Sequence, residues 1–374
     1  MENHAFQSPE IACSAEGNTK VYSVATESSL EAWLDETFII EPMIATIEGL
    51  FANFKPGPLS TCHYLPRSSE FLIHNSYWRT GGIGAINLLN NFFHAVNNSQ
   101  EIAFVAEGVN LTPSVDELAG FLNVPSKEAN EEAMALAVQY FGNLPTIGLP
   151  TKSNQVPGPT HRSGIKLGVK TITSILATCK ANNLTVTTAF HAAFIMATLD
   201  LDTSKRPEGK KYTSYIAFNF YPYLAPPNGD PTAHPVTVNM LGLPLSITPK
   251  NFANCITQLQ TVYKQPLSPK DNNFEAIMAP YIKKFAAIAA MAPPPDVVLP
   301  SEPIINSLGV VDKYLEKHHG DKVEIVDFWL GVEMLTRQLD LLVDLAGRDV
   351  CFYKKCIGIL VRELKVEIGE DWSA

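Results

Sequence analysis

The chain has 374 residues, 46% hydrophobic and 18% charged, with a formal net charge of -10. It is long enough to bury a substantial core, and its negative balance argues against nucleic acid and anionic membrane surfaces, which need a basic field. The partner expected from this balance is a small molecule that is not strongly anionic. The six cysteines (Cys13, Cys62, Cys179, Cys255, Cys351, Cys356) lack C-x-x-C spacing, so they read as buried thiols of a reducing compartment, with no zinc site and no disulfide framework. The start "MENHAFQSPEIACSAEG" has no charged-then-apolar signal pattern, and no apolar run approaches the roughly 18 residues of a membrane span. The chain is expected in the cytoplasm, without a membrane span, metal or cofactor.

In chain order, residues 1–20 read as a loose tail. "VYSVATESSLEAWLDETFII" reads as a strand, a helix capped at Ser28 or Ser29, and an apolar exit. "FLIHNSYW" reads as a buried strand and "AINLLNNFFHAV" as a helix. The acidic residues 113–143 read as two surface helices, and the Pro, Gly, Ser and Thr of 145–164 mark an internal boundary. One lobe is therefore assigned to 21–155 and a second to 156–374.

Beyond the boundary, 165–184 and 185–202 read as helices, and 212–224 and 235–247 as strands with alternating β-branched and aromatic residues. Helices are expected over 251–265 and 273–291. Strands are expected within 305–315, 322–335 and 349–355, before a closing helix from Cys356 to Val366. Interleaved helices and strands predict α/β layers, with mixed sheets flanked by helices.

Residues 75–84, "NSYWRTGGIG", raise the functional question. They lack the Gly-Lys-Ser/Thr ending of a P-loop and the G-x-G-x-x-G fingerprint of a dinucleotide site. No G-x-S-x-G nucleophile elbow occurs in the chain. His191, inside the apolar "TAFHAAFIM", reads as a hydrogen-bonded core histidine. His318 and His319, in "KYLEKHHGDK", read as part of a charged surface turn.

The stretch "SYWRTGGIGAINLLNNFF" resembles the strand, H-x-x-x-D-G motif and helix of the superfamily that unites chloramphenicol acetyltransferase, peptide-synthetase condensation domains and plant-type acyltransferases. The similarity is strongest to the fungal trichothecene O-acetyltransferase branch. Segments "TVTTAFHAAFIMATLD", "IAFNFYPYLAPP", "HPVTVNMLGLPLSI" and "SLGVVDKYLEKHHGDKVEIVDFWLGVEMLTRQ" follow in that branch's order, so the resemblance runs from about residue 22 onward. It implies a two-lobed chloramphenicol-acetyltransferase-like α/β fold around a tunnel. It also implies a shortened N-terminal region, because relatives carry a further strand and helix before the segment matching "YSVATESSLEAW".

In this register the motif histidine is replaced by Tyr77 and its aspartate by Gly81, while Gly82 remains. In the family the histidine takes the acceptor's proton. A phenol with ordinary pKa near 10 is a poor base at neutral pH, and general-base catalysis typically contributes ~10²- to 10⁴-fold. The reading drawn from this loss is a cofactor-free cyclase or isomerase of fungal secondary metabolism, closing a ring in a polyketide or terpenoid intermediate. Such a tunnel works by orientation. Tyr77, Arg79 and Asn219 are expected to act on the substrate, with Trp78, Tyr221, Tyr223, Asn239, Asp327, Trp329 and Glu333 lining the site. The alternative is an O-acyltransferase with another base, His74 being nearest in sequence; on one strand, its odd separation from Tyr77 would face them apart. A third reading is a non-catalytic metabolite-binding or partner-stabilising protein.

Overall fold

The computed structural model describes residues 8–365, apart from 18, 56, 99–106, 122–123, 145, 151–161, 163–164, 166, 203–208, 225, 227, 265–273, 292–299, 333–339 and 344–358. Much of the expected 145–164 boundary, the expected 349–355 strand and the start of the closing helix lie outside them; residues 359–364 of that helix are helical.

Composition suggests a loose start, yet residues 8–16 are docked. Pro9–Ala12 form a 3₁₀ turn with Pro9, Glu10 and Ile11 buried, followed by a hairpin of β1 (Ser14–Glu16) and β2 (Thr19–Val21). Helix α1 (Glu27–Thr37) is capped by Thr26, two residues before the expected Ser28: the Thr26 hydroxyl accepts from the Ser29 amide at 3.3 Å, while the Ser29 hydroxyl accepts from the Thr26 amide at 2.8 Å. That reciprocal pairing satisfies two end amides where one Ser cap would satisfy one.

The apolar exit is β3 (Phe38–Ile40), which pairs in parallel with β4 (Thr61–Leu65), itself antiparallel to β5 (Glu70–His74). One face of this sheet carries Leu65 and Leu72 against α2 (Ile47–Phe51), Phe54 and Trp329. On the other, Phe71 packs on Phe92, 4.5 Å between centroids, which belongs to α3 (Gly82–Asn97). β5 thus ends at His74, four residues short of the expected strand, and Tyr77 lies in a turn.

The glycines of "TGGIG" open α3, with Gly81 as N-cap. Gly84 is required by packing: a Cβ there would run into the Pro235 carbonyl and the Thr80 side chain. The missing side chain lets the 235–240 segment lie on the helix's first turn.

Most of the core surrounds α7 (Val186–Leu201), whose Ala189, Ala192, Ala193, Phe194, Ile195 and Ala197 are buried. It packs with α6 (Val169–Ala181) and α8 (Phe252–Tyr263) on the two-stranded sheet of β6 (Tyr212–Asn219) and β7 (Met240–Ile247). Helices α5 (Lys127–Phe141) and α9 (Phe274–Ala289) build a second cluster with Phe220, Leu241 and Leu243; α4 is the short Val115–Leu118. Each large apolar side chain buried here contributes about 1.5–3 kcal/mol. The expected 212–224 strand stops at Asn219 because Pro222 enters a 3₁₀ turn, Tyr221–Tyr223. The C-terminal strands are short: β8 (Ile304–Ser307), β9 (His318–His319), β10 (Val323–Glu324) and β11 (Asp340–Val343), with β8 and β11 parallel.

Among the described residues no single helix is long and apolar enough to cross a membrane. Cys13, Cys62, Cys179 and Cys255 are buried free thiols.

Candidate functional site

Residues 75–81 form a turn that is stitched to two other segments. The Arg79 guanidinium is fully buried and donates to four carbonyls: Glu10, Ile11 and Cys13 through Nη1 at 2.7–2.9 Å, and Pro58 through Nη2 at 2.8 Å. Arg79 therefore clamps the docked N-terminal segment; with no exposed surface it cannot orient a substrate, contrary to the expectation above. Trp78 covers it, with the Arg79 guanidinium carbon 4.4 Å and Lys20 Nζ 5.7 Å from the ring centroid.

The other face of the turn meets the 235–240 segment. Thr80 donates to the Pro235 carbonyl at 2.7 Å, the Gly81 amide to Thr237 O at 3.0 Å, and the Tyr77 hydroxyl to Met240 Sδ at 2.6 Å. Tyr77 is half exposed.

Tyr221 buttresses the same segment from behind, its hydroxyl 2.9 Å from His234 O and 2.8 Å from Thr237 Oγ1. Burial raises its pKa to about 12, so it stays protonated. Asn219 Oδ1 accepts from the Tyr221 amide at 3.1 Å, fixing the strand exit. Asn239 is buried, and its side-chain amide nitrogen has no partner among the described residues. Tyr223 stacks on Phe220, 5.7 Å between centroids. Tyr221 and Asn219 support the turn from behind, Asn239 is buried on the segment they brace, and Tyr223 and Tyr77 are exposed.

Trp329 lies on the sheet face that also carries Phe54, Leu65 and Leu72. Asp327 is exposed and accepts from the Phe328 amide. Trp329 meets Phe51 edge-on at 5.5 Å and carries the Arg162 guanidinium carbon 4.6 Å from its centroid, on the α2 side of the sheet. Glu333 lies outside the described residues.

A second constellation went unread in the sequence. Thr61 and His63, two apart on β4, share a face. The backbone amide of Glu41 donates to Tyr64 O at 2.8 Å, prolonging the β3–β4 pairing and setting its carboxylate beside the strand. His63 Nδ1 lies 3.1 Å from Glu41 Oε1, and Nε2 lies 3.0 Å from Thr61 Oγ1. An ionised carboxylate only accepts, so Nδ1 is the donor; in a neutral ring Nε2 is then the acceptor that faces the threonine hydroxyl. His74 sits directly opposite Thr61 in the β4–β5 register, so it shares that face. Its ring stacks on Phe54 at 4.5 Å and 10°, and Phe54 also meets His63 at 5.0 Å.

Burial, then the nearby His63, holds the His74 pKa below 6.5. The imidazole is uncharged at neutral pH. The Thr61 end of β4 is braced on the motif turn: Ser60 donates to Asn75 Oδ1, and the Ser76 hydroxyl donates to Gly57 O at 2.8 Å. The Thr-x-His alternation was the available signal; the arrival of Glu41 depends on tertiary pairing.

Among the other histidines, His191 is a core residue as expected, Nδ1 2.9 Å from the Tyr263 hydroxyl. His319 is not part of a solvated turn: it is fully buried against His94, 4.7 Å between centroids, and Phe93. Among the described residues no cluster of three His, Cys, Asp or Glu side chains suits a metal ion.

No protein-family model matches the chain. Superposition on the TRI3 trichothecene 15-O-acetyltransferase from Fusarium sporotrichioides gives a TM-score of 0.70 over 97% of this chain and 84% of that one, at 14% identity. The chain has the chloramphenicol-acetyltransferase-like fold. Two sequences from Monascus ruber are similar to this chain. O-acetyltransferase pigM is 30% identical over 332 residues, 85% of this chain. Acetyltransferase pigO is 29% identical over 361 residues, 89% of this chain and 74% of pigO. The chain spans 63% of the length of pigM.

Proposed function

We propose that this chain is an O-acyltransferase of fungal secondary metabolism, moving an acyl group from a donor such as acetyl-CoA to a hydroxyl of an apolar polyketide-type metabolite. One observation carries the reading: the match to an O-acetyltransferase extends over 85% of the chain. The acceptor proton needs a base, and the Tyr77 phenol is not one. His74 is uncharged at neutral pH, stands three residues before Tyr77, and accepts no hydrogen bond among the described residues. It is assigned as that base. Mass spectrometry of products formed from acetyl-CoA and hydroxylated polyketides tests the reading; ester supports it, and no ester with any donor and acceptor refutes it.

A second reading, ring closure without an acyl donor, is favoured by the half-exposed Tyr77 side chain, which the resemblance aligns with the motif's base. There the phenol would hydrogen-bond a substrate carbonyl and the fold would act by orientation. Conversion of a linear intermediate to an isomer of equal mass, without acyl-CoA, is its signature.

A further inference from the structure

We propose that the hairpin of β9 and β10 is an acid-released strap: it docks on the last turn of α3 while His319 is uncharged and lets go when that ring takes a proton. Helix α3 starts at the motif turn, with Gly81 as its N-cap, so the strap holds the far end of the helix that the motif turn opens. The strap is independent of the acyl-transfer chemistry, since none of its residues enters the site described above.

Polar and ring contacts seat the hairpin on the helix. The Glu316 amide donates to Asn90 Oδ1 at 2.9 Å, and Lys322 Nζ donates to the Val96 and Asn97 carbonyls at 3.5 and 3.2 Å. A cation there also meets the negative end of the helix dipole. Gly320, with φ at +59°, brings its backbone so close to the Asn97 side chain that no Cβ fits between them. His94 Nε2 stands 3.2 Å from Glu316 Oε1. The His94 and His319 rings meet edge to face at 4.7 Å, and Phe93 lies 5.4 Å from His319.

His319 is fully buried, yet neither of its ring nitrogens has a hydrogen-bond partner among the described residues. An unbonded buried polar group costs stability that an apolar residue of similar size would not, so packing alone does not account for an imidazole here. Titration is what an imidazole adds. Of the side chains around it, α3 supplies His94 as its one ionisable group. The hairpin supplies Glu316 and Lys322, with His318, Asp321 and the Lys317–Glu324 pair, 3.3 Å apart, at exposed positions. The carboxylate felt at His319 is that of Glu316, and it already lies on His94. A proton on His319 would thus make a buried cation beside a second imidazole, without a carboxylate of its own. Burial, then His94, holds the His319 pKa below 6.5, against the opposite pull of Glu316. A solvated imidazole titrates near 6.5, so the released hairpin binds a proton that the docked one refuses. Docking is full above pH 6.5 and weakens as pH falls below it, by up to about tenfold per pH unit for one coupled proton.

The test is hydrogen–deuterium exchange of the full chain between about pH 7.5 and 5, read as protection factors for peptides covering 314–325, with those of α7 as the core reference. In the wild type, strap protection should fall below pH 6.5 by up to about tenfold per unit, and strap amides should exchange well ahead of those of α7. His319→Leu nearly keeps the volume without a titrating group and should hold the strap docked down to the acid end of the range. Glu316→Gln, at an exposed position, removes the counter-charge that lets the docked imidazoles carry a proton, so release should move to higher pH. That variant reads the mechanism even where His319→Leu fails to fold, which thermal melts establish. Strap protection that stays flat across the range, that falls in folded His319→Leu as in the wild type, or that never separates from the protection of α7 would overturn the proposal. So would a release pH unmoved in Glu316→Gln.

Discussion

The hydroxyl of Tyr77 donates to the sulfur of Met240, 2.6 Å away, joining the turn after β5 to the first residue of β7. The Tyr77 phenol is thus a tether between segments 163 residues apart. Tyr77→Phe removes the hydroxyl and keeps the ring. Acyl transfer is expected to stay within a few-fold of wild type, with a stability loss of about 1 kcal/mol, read by steady-state rates and urea melts. A ~10²-fold loss in rate would assign Tyr77 a direct role in chemistry.

Arg79 supports four backbone carbonyls from a fully buried position. Arg79→Met leaves those acceptors without their donor and is expected to cost about 3–5 kcal/mol, measured by chemical denaturation. Arg79→Lys should recover little, because three donors on a point-like ammonium do not reproduce the planar fork.

His191 gives the fold an acid limit. Complete burial lowers its pKa to about 3, against an ordinary value near 6.5. The folded state keeps the ring neutral while the unfolded state takes a proton below 6.5, so stability is full above that pH and falls as pH drops toward 3. By linkage the loss at the acid end is on the order of 4–5 kcal/mol. His191→Gln should flatten the stability profile between pH 6.5 and 4; an unchanged slope would show that other groups set it.

Gly84 faces the Pro235 carbonyl so closely that a methyl group cannot be added without moving the backbone. Gly84→Ala is expected to destabilise by about 1–3 kcal/mol despite alanine's better helix propensity. A thermal melt at or above wild type would refute the close approach.

Local signals carried well into the structure where burial and periodicity agreed. The apolar run of α7 placed that helix to within one residue at each end, while the alternation of β6 and β7 placed two strands that prove five residues shorter than expected. The strand leading to the motif did not end where its apolar character suggested, because the hydrogen bonds of 75–81 go to Pro235, Thr237 and Gly57 instead of a sheet partner. Residues 8–16 read as a tail since what orders them is Arg79, over sixty positions away. The same limit hid the Glu41–His63 pair: spacing gives which residues share a face of one strand, but not which carboxylate a parallel neighbour will bring to it.

His74 offers a pH signature of its own. A base must be uncharged to accept a proton, and burial with the neighbouring His63 sets its pKa below 6.5. The transfer rate should be level across neutral pH and decline only below 6.5, and His74→Gln should remove that limb while slowing transfer by ~10²- to 10⁴-fold.

Single-turnover ester formation from acetyl-CoA and a hydroxylated polyketide, run side by side on the wild type, Tyr77→Phe and His74→Gln, bears most directly on the assignment of acyl transfer to the β4–β5 face. Ester from the first two and a hundredfold or greater loss in the third is the result expected. Ester formed equally by all three, or an isomerised product with no acyl group attached, would contradict it.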